Sequence, residues 1–289
     1  MEFQTLIGAD SLEELLGDPR LAVVDCRFDL TNPEAGHQAY LKAHIPGARY
    51  ADLNRDLAAP IGPHTGRHPL PAPEKFAQRL GRLGIGNDSQ VVAYDAANGS
   101  FAARLWWMLR WLGHDAVAVL DGGFKAWTAR GGALEAGEAE VRPQRVAPRF
   151  TPRVAAGAVL STAELERALE SPARALLVDA RAPERFAGAV EPLDPVAGHI
   201  PGAVNQPFSA NLGADDHFLP AAELKRRWTQ LLAGREPQTL VAMCGSGVTA
   251  CHNLLSLEVA GLSGARLYAG SWSEWIRDPR RPVARGPAP

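Results

Sequence analysis

Four short phrases occur twice in this chain, in the same order and at nearly one spacing. "VVDCR" (23–27) returns as "LVDAR" (177–181), and "AHIPGA" (43–48) returns as "GHIPGA" (198–203). "VVAYD" (91–95) returns as "LVAMC" (240–244), and "LDGGFKAW" (120–127) as "YAGSWSEW" (268–275). The offsets are 154, 155, 149 and 148 residues. A repeat this long is a duplicated domain and not a solenoid unit. At 289 residues the chain has room for two domains of ordinary size. The stretch "VRPQRVAPRFTPRVAAG" (141–157) has three prolines and no apolar periodicity, so it is expected to join the halves. The expected division is a domain over 1–142, a linker over 143–157 and a domain over 158–289.

Each half alternates short apolar runs with helix-like ones. "ALLVDA" and "TLVAM" have the length and branching of buried strands. "STAELERALE" (161–170) offers Ser161 or Thr162 as a helix cap, with Glu164 and Glu166 in the first turn. "VTACHNLLSLEVAG" predicts a helix closed by Gly261, and "ARLYAG" a further strand. The first half repeats the order with "QVVAYD", "SFAARLWWMLRWLG" and "AVAVLDGG". Strand–helix–strand units of this size imply the α/β class, two tandem domains each with a mainly parallel sheet flanked by helices.

Composition narrows the function classes. Thirty Lys and Arg against 32 Asp and Glu leave a net charge of −2, which favours neither nucleic acid nor a membrane surface as partner. The tryptophan-rich "LWWMLRWLG" (105–113) lacks the basic interleaving of a base-stacking surface and is expected to be a buried helix. No apolar run approaches the roughly 18 residues of a spanning helix, and "MEFQTLIGAD" has no basic n-region. Three cysteines make no disulfide framework, so a reducing, cytoplasmic setting is expected. The basic, proline-rich tail "RDPRRPVARGPAP" is expected to be solvated.

Cys244 stands where a strand ends and a helix begins. Ligands of open α/β sheets bind beyond such strand ends. A helix start has unpartnered N–H groups and partial positive charge. Gly245 and Gly247 allow the loop to curl its N–H groups toward one point, with Val248 in the turn, and Ser246 and Thr249 can add hydroxyls. A thiol held there is expected to ionise readily and act as a nucleophile. Cys26 aligns with Ala180 in the other repeat and Cys251 lies inside the helix, so both are expected to be buried packing residues.

Rival motifs fit less well. "GSGVTA" matches a dinucleotide fingerprint, but the following "ARLYAGS" lacks the acidic residue that would hold a ribose. A cysteine phosphatase needs an arginine six residues after the cysteine to clamp phosphate, and that position is Ala250. No Cys-x2-Cys or His-x3-His spacing offers a metal site.

"CGSGVTA" (244–250), the two "HIPGA" turns, "RFAG" (185–188) and "GSWSEW" (270–275) together resemble the landmarks of two-domain rhodanese-type sulfurtransferases, over nearly the whole chain. The resemblance implies a catalytic second domain. The first would be inactive, since Asp95 occupies its cysteine position and a carboxylate cannot carry sulfane sulfur. It implies ping-pong chemistry without metal or organic cofactor: Cys244 takes sulfur from a small anionic donor as a persulfide and yields it to a thiol or cyanide. His68 of "GRHPLP" and Ser246 match a histidine and a serine of the family's proton relay. Arg185 matches an arginine that binds donor anions, with a fork suited to carboxylate. The repeated His44 and His199 are expected to build a shared turn, and Trp272 and Trp275 to pack beside the loop.

"CGSG" resembles the loop of 3-mercaptopyruvate sulfurtransferases, whereas thiosulfate sulfurtransferases carry cations there. The first donor is therefore favoured, with thiosulfate or a non-enzymatic persulfide carrier as alternatives. Two positions depart from the mercaptopyruvate pattern. Asp194 stands where a second arginine belongs, and Asn54 where an aspartate would support His68, though Asp52 and Asp56 are close in sequence. A monomer or weak homodimer is expected.

Overall fold

The computed structural model describes residues 2–138, 149–171 and 174–287. Residues 143–148 of the expected linker lie outside the described residues. The chain divides into two compact units. Unit 1 holds residues 1–59, 71–155 and 214–218; unit 2 holds 60–70, 156–213 and 219–289. The units therefore exchange two short segments that the linear halves do not foresee. Residues 153 and 155, within the expected linker, donate backbone hydrogen bonds to Leu112 and Trp111 of unit 1.

In unit 1 the strands are β1 (Leu6–Ile7), β2 (Leu21–Asp25), β3 (Arg49–Tyr50), β4 (Gln90–Tyr94) and β5 (Val117–Leu120). They form one parallel sheet in the order β1-β5-β4-β2-β3. Helices α1 (Ala9–Leu15), α2 (Ala35–Lys42), α3 (Pro73–Arg82), α4 (Ala102–Trp111) and α5 (Gly123–Ala129) connect them. As expected, α4 carries the tryptophan-rich run and buries Leu105 to Leu109 without a break.

Unit 2 repeats the plan. Strands β6 (Leu176–Asp179), β7 (Val204–Asn205), β8 (Leu240–Met243) and β9 (Arg266–Leu267) form a parallel sheet in the order β7-β6-β8-β9. Its helices are α6 (Thr162–Glu170), α7 (Pro183–Ala187), α8 (Ala221–Leu232), α9 (Ala250–Val259) and α10 (Ser271–Trp275). Ser161 caps α6 in a reciprocal box with Glu164. Every residue of β6 and β8 is buried, as a parallel sheet covered on both faces requires.

The repeated phrases prove to be one structural device used twice. In "VDCR", Arg27 Nε bonds Asp25 at 2.9 Å and Nη2 reaches the Ala43 carbonyl at 2.6 Å. In "VDAR", Arg181 Nε bonds Asp179 at 3.0 Å and Nη2 reaches the Gly198 carbonyl at 2.8 Å. Each arginine thus ties a strand end to its "HIPG" turn. His44 and His199 bond the carbonyls of Tyr40 and Phe186 through Nδ1 and stack on those rings at 4.2 and 3.8 Å. Their role is architectural in both halves. The basic tail is solvent-exposed, as expected, but it is tied down. His199 and Ala284 exchange backbone bonds of 2.9 Å, and Trp275 Nε1 donates to the Pro282 carbonyl, so the tail closes over its own turn. Among the described residues no helix is long and apolar enough to cross a membrane.

Candidate active site

Strand β8 delivers Cys244 to the carboxyl edge of the unit 2 sheet, where the side chain is nearly buried. The chain then curls through residues 245–249 into α9. Gly247 makes the curl possible. Its φ is +76°, and a Cβ there would lie 2.4 Å from the Ala269 carbonyl oxygen. The result is a convergence of donors on the sulfur: the N–H of Gly247 lies 3.1 Å and that of Ser246 3.4 Å from Cys244 Sγ. Negative charge on this sulfur would be met by fixed dipoles that need no rearrangement. Val248 is buried in the turn, and Thr249 stands at the helix start without a side-chain capping bond. Cys251 is buried in α9 with Sγ on the Gly247 carbonyl, and Cys26 is buried in unit 1, as expected of packing residues.

A residue that the sequence did not single out fixes the nucleophile from behind. Ser271 opens α10 with φ +54°, a left-handed conformation that costs a non-glycine residue on the order of 1–3 kcal/mol. Its Oγ accepts the Cys244 N–H at 3.0 Å and donates to the Tyr268 carbonyl at 2.9 Å. The N–H groups of Trp272 and Ser273 bond the carbonyls of Cys244 and Gly245 at 3.0 and 2.9 Å. Trp272 and Trp275 are buried beside the loop, as expected.

The same short helix docks the 60–70 segment. Ser273 Oγ accepts the Arg67 N–H at 3.0 Å and Glu274 the Gly66 N–H at 3.3 Å. This brings His68 to Ser246, with Nδ1 2.8 Å from Oγ, both side chains buried. The serine hydroxyl is thus engaged by imidazole. Asn54 lies in unit 1, where its N–H and that of Arg55 bond the Asp52 carboxylate at 2.8 Å. The Asp56 carboxyl accepts the Asp52 N–H, and burial pushes its pKa up.

Arg185, in the last turn of α7, is less free than the sequence suggests. Its Nη2 bonds Glu191 at 2.7 Å and lies 3.4 Å from Asp194. Asp194 is also ion-paired to Arg67 through its other oxygen. The position that departs from the mercaptopyruvate pattern therefore joins two arginines, and the second of them comes from the 60–70 segment. Arg67 carries no local pattern that would mark it. Its only flag is its place beside His68 in "GRHPLP".

The matching loop of unit 1 is complete but filled. Asp95 Oδ1 accepts the N–H groups of Ala97 and Gly99 at 3.2 and 3.0 Å, and Oδ2 those of Phe101 and Ala102 at 2.8 and 3.2 Å. Burial pushes the Asp95 carboxyl up while these four donors favour its charged form. A resident carboxylate thus sits where the other half keeps a sulfur.

The Rhodanese-like domain description matches residues 8–130 and again 161–278. The chain belongs to the rhodanese family. It is similar to a Pseudomonas aeruginosa protein named "Probable 3-mercaptopyruvate sulfurtransferase", with 53% identity over 99% of this chain and 100% of that one. A Mycobacterium tuberculosis protein provisionally named a thiosulfate sulfurtransferase is 40% identical over 99% of this chain and 98% of its own length. Among solved structures, the 3-mercaptopyruvate sulfurtransferase of Leishmania major superposes with a TM-score of 0.83 at 32% identity, covering 94% of this chain and 74% of that one. The rhodanese fold that the resemblance implied is thus present twice, and the chain is a sulfurtransferase enzyme acting on a small-molecule sulfur donor and acceptor.

Proposed function

We propose that this sulfurtransferase takes sulfur from 3-mercaptopyruvate and carries it as a persulfide on Cys244 to a thiol or to cyanide. The observation that carries the reading is the N–H cradle of Ser246 and Gly247 on Cys244 Sγ, within a loop that is itself uncharged. The Cys244 thiolate attacks the donor sulfur and the sulfur–carbon bond breaks. The electron pair goes to carbon, leaving an enolate that becomes pyruvate on protonation. The thiol proton of the donor balances this, passing through the Ser246 hydroxyl and His68. Cyanide or a thiolate then attacks the outer sulfur and Cys244 leaves as thiolate. The cradle stabilises the anionic sulfur before and after loading. Arg185 would hold the donor carboxylate, with Gly245 keeping the approach to Cys244 open.

Thiosulfate is the second reading, favoured by the guanidinium groups of Arg67 and Arg185 beside the loop. A persulfide carrier that delivers only to a partner protein is the third. The balanced net charge argues against nucleic acid or a membrane as partner. The three free cysteines fit a reducing, cytoplasmic setting, where the protein would act as a monomer or weak homodimer. Sulfur transfer to cyanide, measured with both donors side by side, tests the proposal. Preference for 3-mercaptopyruvate, abolished by Cys244→Ser, is expected. Preference for thiosulfate would favour the second reading, and loading without release to small acceptors the third. Turnover that survives Cys244→Ser would sink all three.

A further inference from the structure

The two "HIPG" turns are built alike but are finished differently. In unit 1 the N–H of Gly47 donates to the Glu135 carboxylate at 2.8 Å. Glu135 faces His44 across a backbone bridge, and the matching bridge of unit 2 pairs His199 with Ala284. The acid that serves the first turn therefore has an alanine as its counterpart in the second. The matching N–H, that of Gly202, has no hydrogen-bond partner among the described residues. A cation lies there instead. A Cβ on Gly202 would collide with the Arg174 guanidinium, and Arg174 Nη2 donates to the Pro201 carbonyl at 3.3 Å. Arg174 has no acidic partner among the described residues. Where one copy holds a carboxylate, the other presents an open N–H and an arginine.

Beside this turn, and wholly within unit 2, lies a cavity of about 850 Å³, the size of a small-ligand site. Leu169, Ile200, Pro201, Trp275 and Pro282 give it apolar walls. Its charges do not cancel. Arg281 is paired with Glu166 at 2.8 Å and Arg280 with Asp278 at 2.8 Å. Arg167 and Arg174 remain against Glu170 alone, an excess of one positive charge. Among the described residues no cysteine, serine or histidine lines the cavity, so it is equipped to bind and not to react. We infer that this cavity is a second ligand site, separate from the Cys244 loop, for an organic monocarboxylate with an apolar body. The carboxylate takes the place that Glu135 fills in unit 1, between the Gly202 N–H and Arg174, as a charge-assisted contact. The apolar body lies against Ile200, Pro201 and Trp275. A single anionic head matches the single excess cation, and the depth of the cavity accounts for the body behind it.

The test titrates the full chain with dansylglycine, an apolar fluorophore bearing one carboxylate, and with its neutral amide. The fluorescence of the carboxylate should rise on binding with a Kd below about 1 mM, and the amide, which lacks the charge-assisted contact, should bind about tenfold more weakly. Ala284→Glu restores the acid that unit 1 carries. It should fill the site from within and weaken the probe by about tenfold, and Arg174→Gln should do the same by removing the cation. Both variants should transfer sulfur to cyanide within about twofold of wild type, because neither touches the Cys244 loop. If Ala284→Glu does not fold, Arg174→Gln decides. Arg185→Gln should leave probe binding unchanged, which separates this cavity from the active site. No binding by wild type, equal binding of probe and amide, undiminished binding by Ala284→Glu and Arg174→Gln, or binding lost in Arg185→Gln would each overturn the inference.

Discussion

At the scale of the residue, the two glycines of the active loop do different jobs. Gly247 is required by the backbone: its φ is positive and a Cβ would meet a carbonyl that cannot step away. Gly247→Ala is therefore expected to open the cradle and abolish sulfur loading, measured as the burst of pyruvate at the first turnover. Gly245 is required by what lies above it, the tip of a flexible arginine, and alanine there should fold normally. Cys244 was legible in the sequence because its setting is local: a strand end, two glycines and a helix start within a few positions. Arg67 was not, because its contacts lie more than a hundred residues away and no periodicity or spacing reports them. Arg185 was legible as a cation but not as a paired one, since Glu191 and Asp194 reach it only after the chain has turned.

At the scale of the element, the longer strands and helices followed from their apolar runs and caps, while α10 shows what such patterns leave out. It spans only Ser271–Trp275, yet it holds the nucleophile by one face and the 60–70 segment by the other. Its first residue is a serine in a conformation that serine disfavours, a feature no propensity predicts. The strain persists because Ser271 Oγ satisfies the otherwise orphaned N–H of Cys244. Ser271→Ala keeps the strain and removes the bond. It should lower stability by about 1–3 kcal/mol, the cost of an unsatisfied buried donor, and slow loading as well. Chemical denaturation checks the first effect. The effect on loading fails if pyruvate release is unchanged. The tail was read only in part for a similar reason: its basic, proline-rich composition marks its exposure but not its anchoring, in which Arg281 pairs with Glu166 at 2.8 Å and the backbone bonds to His199.

At the scale of the whole molecule, the duplication was plain from the repeats, and each unit has its own hydrophobic core. In unit 1, His114 is buried against Phe150, and burial holds its pKa below the ordinary value. The folded state therefore resists the proton that the unfolded chain accepts near pH 6.5. As pH falls through that value the unfolded state binds more protons, so stability present at neutral pH is lost on acidification. His114→Gln should flatten this dependence between about pH 7 and 5, read as the melting temperature of the full chain at each pH. An unchanged slope would show that other groups dominate.

The exchanged segment has a consequence for ancestry and for engineering. Residues 60–70 are encoded in the first copy of the repeat, yet they furnish His68 and Arg67 to the second. The two copies began as interchangeable units and are no longer so. A fragment starting at residue 158 would retain its sheet, its cysteine and its cradle, but would lack the histidine and one of the two arginines. Supplied with donor, such a fragment should load sulfur far more slowly than the full chain, and a synthetic peptide covering 60–70 should restore part of the rate. One short stretch of the first copy now belongs to the second unit and one of the second to the first, so no single cut in the chain can separate the two units cleanly.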